Sequence, residues 1–254
     1  MKELWYIKKI AELKRVCKIA FDKDLIDTHS GNISMGIDKD LLITKTGRSL
    51  IDLKPQDFTV APVIKPEKED GENVPAAAAP AAKTRKTAGG KDDNKDNNDN
   101  GGASSEIDIH RFILRSFPNS TVFHSHPVNA IALSLSLHKN TDNNKKKGDR
   151  FKSVPFFLEK LYKKYPELDE ITPLDFESAY FFPKIYVFPL DFTLDIKTKN
   201  LRIDFEAKDI FKENGVFMIK SHGSFAWGKT PLDALRWTIM LEASAKIILK
   251  CLSF

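Results

Sequence analysis

A chain of 254 residues with 41% hydrophobic, 10% aromatic and 30% charged side chains has a globular composition and can bury a sizeable core as one domain. Its formal net charge of +5 sits partly in runs such as Lys145-Lys146-Lys147 and forms no basic stripe, so no nucleic-acid partner is expected. Cys17 and Cys251 make neither a disulfide framework nor a Cys-x-x-Cys site and fit a reducing, cytoplasmic compartment; no stretch approaches the roughly 20 apolar residues of a membrane span, and Lys8-Lys9 and Lys14-Arg15 interrupt any signal-peptide core.

Leu4, Ile7, Ile10, Leu13, Cys17 and Ala20 recur at spacings of three and four, which predicts one face of an amphipathic helix. A polar turn, Asp27 to Asn32, follows. Strands are predicted at Ile33-Ser34-Met35, Leu41 to Thr44 and Phe58-Thr59-Val60, with a turn at Asp38-Lys39-Asp40. From about Pro62 to Ala103 the chain is Pro, Ala, Lys, Gly, Asp and Asn; residues 62–103 therefore read as a disordered low-complexity insertion in a surface loop of a single domain spanning 1–254.

Ser104 or Ser105 can cap a helix from about Glu106 to Ser116, ended by Phe117-Pro118-Asn119. Thr121 to His126 reads as a strand, and Pro127 suits the first turn of the next helix. Residues 139–150 form a second polar loop insertion. The aromatic-rich region 151–192 suggests a helix near Phe156 to Lys164 and a strand near Lys184 to Phe188. Gly215 to His222 is an apolar strand ending in a histidine, with Phe225-Ala226-Trp227 as its extended continuation. Thr230, Pro231 and Asp233 make a capping box for the last helix.

Four residues carry candidate chemistry. His124 and His126 are two apart on a predicted strand, which puts both imidazoles on one face about 6–7 Å apart along the chain. That is a workable bite for one transition metal, or else a polar strand end with satisfied imidazoles. His222 ends another apolar strand and is followed by Gly223. It reads either as a buried structural histidine or as a third ligand. Glu106 in a first helical turn complements the helix dipole whatever else it does.

In this order, Ser104-Ser105-Glu106, His124-Ser125-His126-Pro127 and Ser221-His222-Gly223 resemble the signature stretches of the class II aldolase/adducin family. Ser30-Gly31-Asn32-Ile33-Ser34, Ile43-Thr44-Lys45-Thr46-Gly47 and Asp52 to Asp57 resemble its flanking turns, although Lys45 stands where proline is common. Gly228-Lys229-Thr230 and Glu242 to Lys246 resemble its final helix. The resemblance covers roughly residues 5–60, 104–138 and 213–250. It implies an α/β three-layer sandwich, with a central, mainly antiparallel sheet and helices on both faces.

The resemblance also implies a metal-dependent aldolase-type lyase acting on a small phosphorylated sugar through a metal-stabilised enediolate. An epimerase, a dehydratase or a non-catalytic adducin-head-like interaction module are the alternatives on the same scaffold. By the resemblance, His124, His126 and His222 bind Zn2+ or another divalent transition metal, one per chain. Glu106 is a further ligand and the catalytic acid/base, and Gly31, Asn32, Thr46, Gly47, Ser104 and Ser105 cradle the substrate phosphate. A homotetramer is implied as well. Glycines and hydroxyls beside a helix N-terminus suit an anion on physical grounds.

Overall fold

The computed structural model describes residues 2–64, 102–137, 161–198 and 207–253. In α1 (Lys2–Asp22), Ile10, Leu13, Cys17 and Ala20 are buried as the apolar spacing predicts, with Val16 beside them. Ile7 is 51% exposed, because the packed face begins at Ile10 and Tyr6, not Ile7, extends it.

Eight strands form one sheet: β1 (Asn32–Ile37), β2 (Asp40–Thr44), β3 (Phe58–Pro62), β4 (Thr121–Ser125), β5 (Asp169–Ile171), β6 (Ile185–Phe188), β7 (Gly215–Ile219) and β8 (Gly223–Gly228). Their order is β3-β2-β1-β4-β8-β7-β6-β5. Every pairing is antiparallel except β6 with β7.

The remaining helices are α2 (Ile107–Ser116), α3 (Val128–Ser136), α4 (Phe176–Phe181), α5 (Leu190–Thr198), α6 (Ala207–Ile210) and α7 (Pro231–Leu252). Strand alternation divides them into two layers. Leu41, Ile43, Val122, Phe217, Phe225 and Trp227 pack on one face of the sheet with Ile109 and Phe112 of α2 and Phe192 of α5. On the other face, Leu42 and Phe123 meet α1 and the start of α7. Val216, Met218 and Ala226 meet α3 and the middle of α7 on that same face. This is the three-layer α/β sandwich expected from the sequence.

Several boundaries differ from the sequence reading. Pro62 ends β3, the Val63 amide donates to Lys39 O, and Ala103 is buried in a bridge to Lys45. Pro62, Val63, Gly102 and Ala103, within the bounds read for the insertion, are thus tied to the sheet and its loops; 65–101 lie outside the described residues, as does the 139–150 loop. Residues 161–164 are helical, the described end of the helix predicted near Phe156 to Lys164.

His222 is not on a strand. The chain leaves β7 at Ile219, Ser221 takes a left-handed φ of 59°, and the His222 amide donates to Ile219 O, so β8 returns antiparallel beside β7. Phe225-Ala226-Trp227 is therefore a paired inner strand, not a continuation. α7 starts as predicted: Thr230 Oγ1 accepts from the Asp233 amide, Asp233 Oδ2 accepts from the Thr230 amide, and Pro231 opens the helix. Both cysteines are free thiols. Among the described residues no helix is long and apolar enough to cross a membrane.

Candidate metal centre and its carboxylate

The end of β4, the β7–β8 turn and the start of α2 meet over one face of the sheet. His124 is the fourth residue of β4 and follows Val122 onto the α2 face; it is paired with Phe225 of β8 and stacks on that ring at 4.2 Å. His126, two residues on, is just past the strand end, where its amide donates to Leu25 O after α1. The turn presents His222, whose ring stacks with that of His124 at 5.0 Å. One ligating nitrogen from each of the three histidines lies within 4.8 Å of the others.

Gly223 makes this convergence possible. A Cβ there would stand 2.5 Å from Ser125 O, 2.7 Å from His126 Cδ2 and 2.9 Å from His124 Cε1.

Glu106 comes to the same point from the N-cap position of α2, nearly fully buried. Its Oε1 lies 2.7 Å from His222 Nε2 and its Oε2 3.1 Å from His124 Nε2. Asn32 of β1 donates from Nδ2 to Glu106 Oε2 at 2.7 Å. Burial alone would raise the Glu106 pKa, but the His124 ring, the hydrogen bond from His222 and that from Asn32 outweigh it, so the carboxyl is held well below the usual carboxylate range. Burial pushes the His124 imidazole down to about 3 despite the carboxylate beside it. His126 is also lowered, by burial and then by His222.

The donor set fits a divalent ion. The Ser224 carbonyl can only accept, so His124 Nδ1, 2.9 Å away, carries its proton and Nε2 carries a lone pair. That nitrogen lies 3.1 Å from Glu106 Oε2 and 2.9 Å from His126 Nε2. A divalent cation at this point would be met by imidazole nitrogens and a carboxylate oxygen together. A neutral histidine fixed by a backbone carbonyl on its far nitrogen is the arrangement that orients a metal ligand. His124, His126 and His222 would hold the ion, with Glu106 beside them.

Of the residues expected to cradle phosphate, Thr46, Gly47, Ser104 and Ser105 lie in two adjoining loops, and Gly31 and Asn32 lie at the start of β1. Lys45 is bridged to Ala103, the Thr46 amide donates to Gly102 O, and Thr46 Oγ1 donates to Ala103 O at 2.8 Å; the Ser104 amide donates to Thr44 O. The 43–47 and 102–106 segments are thereby held side by side. Gly47 has a left-handed φ of 69° and open space where a Cβ would be. Gly31 has φ 88°, and a Cβ there would strike His124 O at 2.7 Å.

Ser104 is buried and its Oγ accepts from the Glu106 amide at 3.3 Å, whereas Ser105 is exposed. The helix begins at Ile107, not Glu106, and its N-cap is Glu106 itself, neither serine. The Asn32 amide faces Glu106, so within this set it joins the carboxylate more closely than it joins the two loops.

Sequence reading missed His110 and Ser34. His110 is fully buried, bonded through Nδ1 to Ser34 Oγ at 2.7 Å and through Nε2 to Asn32 Oδ1. The one signal in the sequence was its position four residues after Glu106, hence on the same helix face.

The family described as Class II Aldolase and Adducin N-terminal domain matches residues 11–249. The L-fuculose-1-phosphate aldolase of Thermus thermophilus superimposes with a TM-score of 0.57 at 22% identity, over 94% of this chain and 92% of that one. Another L-fuculose 1-phosphate aldolase gives 0.58 at 16%, over 97% and 87%. An aldolase II superfamily protein of Pseudomonas syringae gives 0.53 at 16%, over 96% and 74%. At these identities the likeness is one of fold, and together with the match over nearly the whole chain it establishes that the protein belongs to the class II aldolase/adducin family.

Proposed function

We propose that this protein is a metal-dependent aldolase-type lyase that cleaves a small phosphorylated sugar. The observation that carries the reading is the buried carboxylate of Glu106, held against His124 and His222 where one nitrogen from each of His124, His126 and His222 lies within 4.8 Å of the others. When bound, a zinc-like ion supplies a Lewis acid for the oxygens of the substrate.

The chain does the rest. Glu106 is the acid/base: its ionised carboxylate takes the proton of the substrate hydroxyl that becomes a carbonyl as the carbon–carbon bond breaks. Gly31, Asn32, Thr46, Gly47, Ser104 and Ser105 bind the phosphate near the start of α2. The remainder of the proposal is a single domain with a low-complexity insertion between Val63 and Gly102, a cytoplasmic location and a homotetrameric assembly.

The test is metal content by mass spectrometry, wild type beside His124→Ala, followed by assay of L-fuculose 1-phosphate for cleavage. About one zinc-like ion per chain in the wild type, lost in the variant, together with cleavage, supports the lyase. Metal without cleavage moves the assignment to epimerisation or dehydration on the same scaffold. Absence of metal after incubation with zinc, manganese or cobalt would falsify the enzyme reading in favour of an interaction module.

A further inference from the structure

α2 carries an imidazole that the proposed chemistry does not use. His110 is one helical turn beyond Glu106 and fully buried, among Ile107, Ile109, Phe112 and Ile113. A buried imidazole in an apolar helix face is costly unless every polar atom is satisfied, and both ring nitrogens are. We propose that His110 is a positioning residue: acting through the Asn32 amide, it holds the Glu106 carboxylate aimed at the histidine cluster. The proposal rests on the reading of Glu106 as the acid/base.

The directions of the hydrogen bonds are forced from one end. An ionised carboxylate can only accept, so the group of Asn32 that lies 2.7 Å from Glu106 Oε2 is its NH2. The Asn32 carbonyl then points the other way, to His110 Nε2, which must carry the ring proton. His110 Nδ1 is left with a lone pair and accepts from the Ser34 hydroxyl. Ser34 and His110 have no solvent exposure and Asn32 has 7%, so water does not substitute for a missing partner.

The ring is held from the side as well. It meets Phe225 edge-on at 6.0 Å, and that same Phe225 is stacked on His124. Without the His110 donor, the Asn32 carbonyl is buried and unpaired, and the amide is held only at its Glu106 end.

Two variants of the full chain separate this role from simple packing. His110→Phe keeps the ring volume and removes both nitrogens; His110→Gln keeps a donor near the place of Nε2. Each is read three ways: hydrogen exchange of the Asn32 side-chain NH2 by NMR with selective 15N-asparagine, zinc per chain, and kcat and KM on L-fuculose 1-phosphate. In His110→Phe the Asn32 NH2 should exchange about tenfold faster and kcat should fall about tenfold or more, the scale of one hydrogen bond to a charged group. KM should stay within about twofold and zinc per chain should be unchanged, while His110→Gln recovers both exchange and kcat to within about threefold.

Unchanged Asn32 exchange in the Phe variant, or a Gln variant as impaired as Phe, overturns the proposal; so does a Phe variant that loses zinc. Should the Phe variant not fold, the Gln variant decides, near-wild-type exchange supporting the proposal and lost protection overturning it. A wild type that cleaves no sugar phosphate defeats the lyase reading alone, because the exchange measurement still decides whether His110 holds Asn32.

Discussion

Gly223 shows how tightly single residues constrain the histidine cluster. Its missing side chain leaves room for Ser125 O and for the rings of His124 and His126, all within 2.9 Å of where a Cβ would stand. One of these neighbours is β4 backbone, which cannot swing away as the end of a long side chain could. Gly223→Ala is therefore expected to destabilise the chain by about 1–3 kcal/mol, the scale of an overpacked site, and to lower zinc per chain below that of the wild type. Urea unfolding and metal analysis of the same preparation check both effects; an alanine variant with full zinc and an unchanged urea midpoint would show that β4 yields without disturbing its histidines. The histidines themselves were legible in sequence, because their order and neighbours carry a pattern. His110 was not, because a lone histidine in an apolar helix face looks the same whether it fills space or holds a partner. Only Ser34 and Asn32, 76 and 78 residues away in sequence, reveal what it does.

At the level of elements, helix starts divide by where their caps come from. Thr230 caps α7 with a reciprocal bond to Asp233, a local device written in four consecutive residues and read correctly from them. α3 has no local cap: Pro127 stands at its N-cap without a side-chain bond, and the acceptors are supplied by Glu242 of α7. Glu242 Oε1 takes the Asn129 amide at 3.0 Å and its side-chain NH2 at 2.6 Å, and Oε2 takes the Ala130 amide at 2.9 Å. A carboxylate at a helix N-terminus gains from the dipole as well as from these bonds. Thr230→Ala should cost about 1 kcal/mol and Glu242→Ala about 2 kcal/mol, since it leaves two amides of α3 without an acceptor. Denaturant midpoints of the two variants rank them, and an equal ranking would mean that water replaces Glu242. The same distinction explains the misread turn at His222. A run of apolar residues predicts a strand, but the reversal depends on one left-handed serine, a conformation that no residue-type pattern announces.

Across the whole molecule, the two fully buried imidazoles tie the stability of the sandwich to pH. Burial holds His110 at about 4 and His124 at about 3, against 6.5 for an ordinary histidine. Between those values the unfolded chain binds protons that the folded chain refuses, so stability falls as pH drops below 6.5. One unit below the ordinary value each histidine accounts for about 1.4 kcal/mol, so metal-free protein should lose about 3 kcal/mol between pH 7.5 and pH 5.5 from this pair. Glu106 acts later. Its pKa is depressed, so its contribution is complete above the ordinary carboxylate value and is lost only as pH falls further, through its folded value. Zinc should reinforce the trend, because it binds the neutral imidazole of His124 and adds stability at pH 7.5 that acid then removes. Urea unfolding in chelator at the two pH values, repeated with zinc, measures both parts. A stability unchanged from pH 7.5 to pH 5.5 would mean that both rings take up protons in the folded chain as they do in the unfolded one. In that case Glu106 faces an imidazolium, and the cluster has no need of a metal to balance its charges.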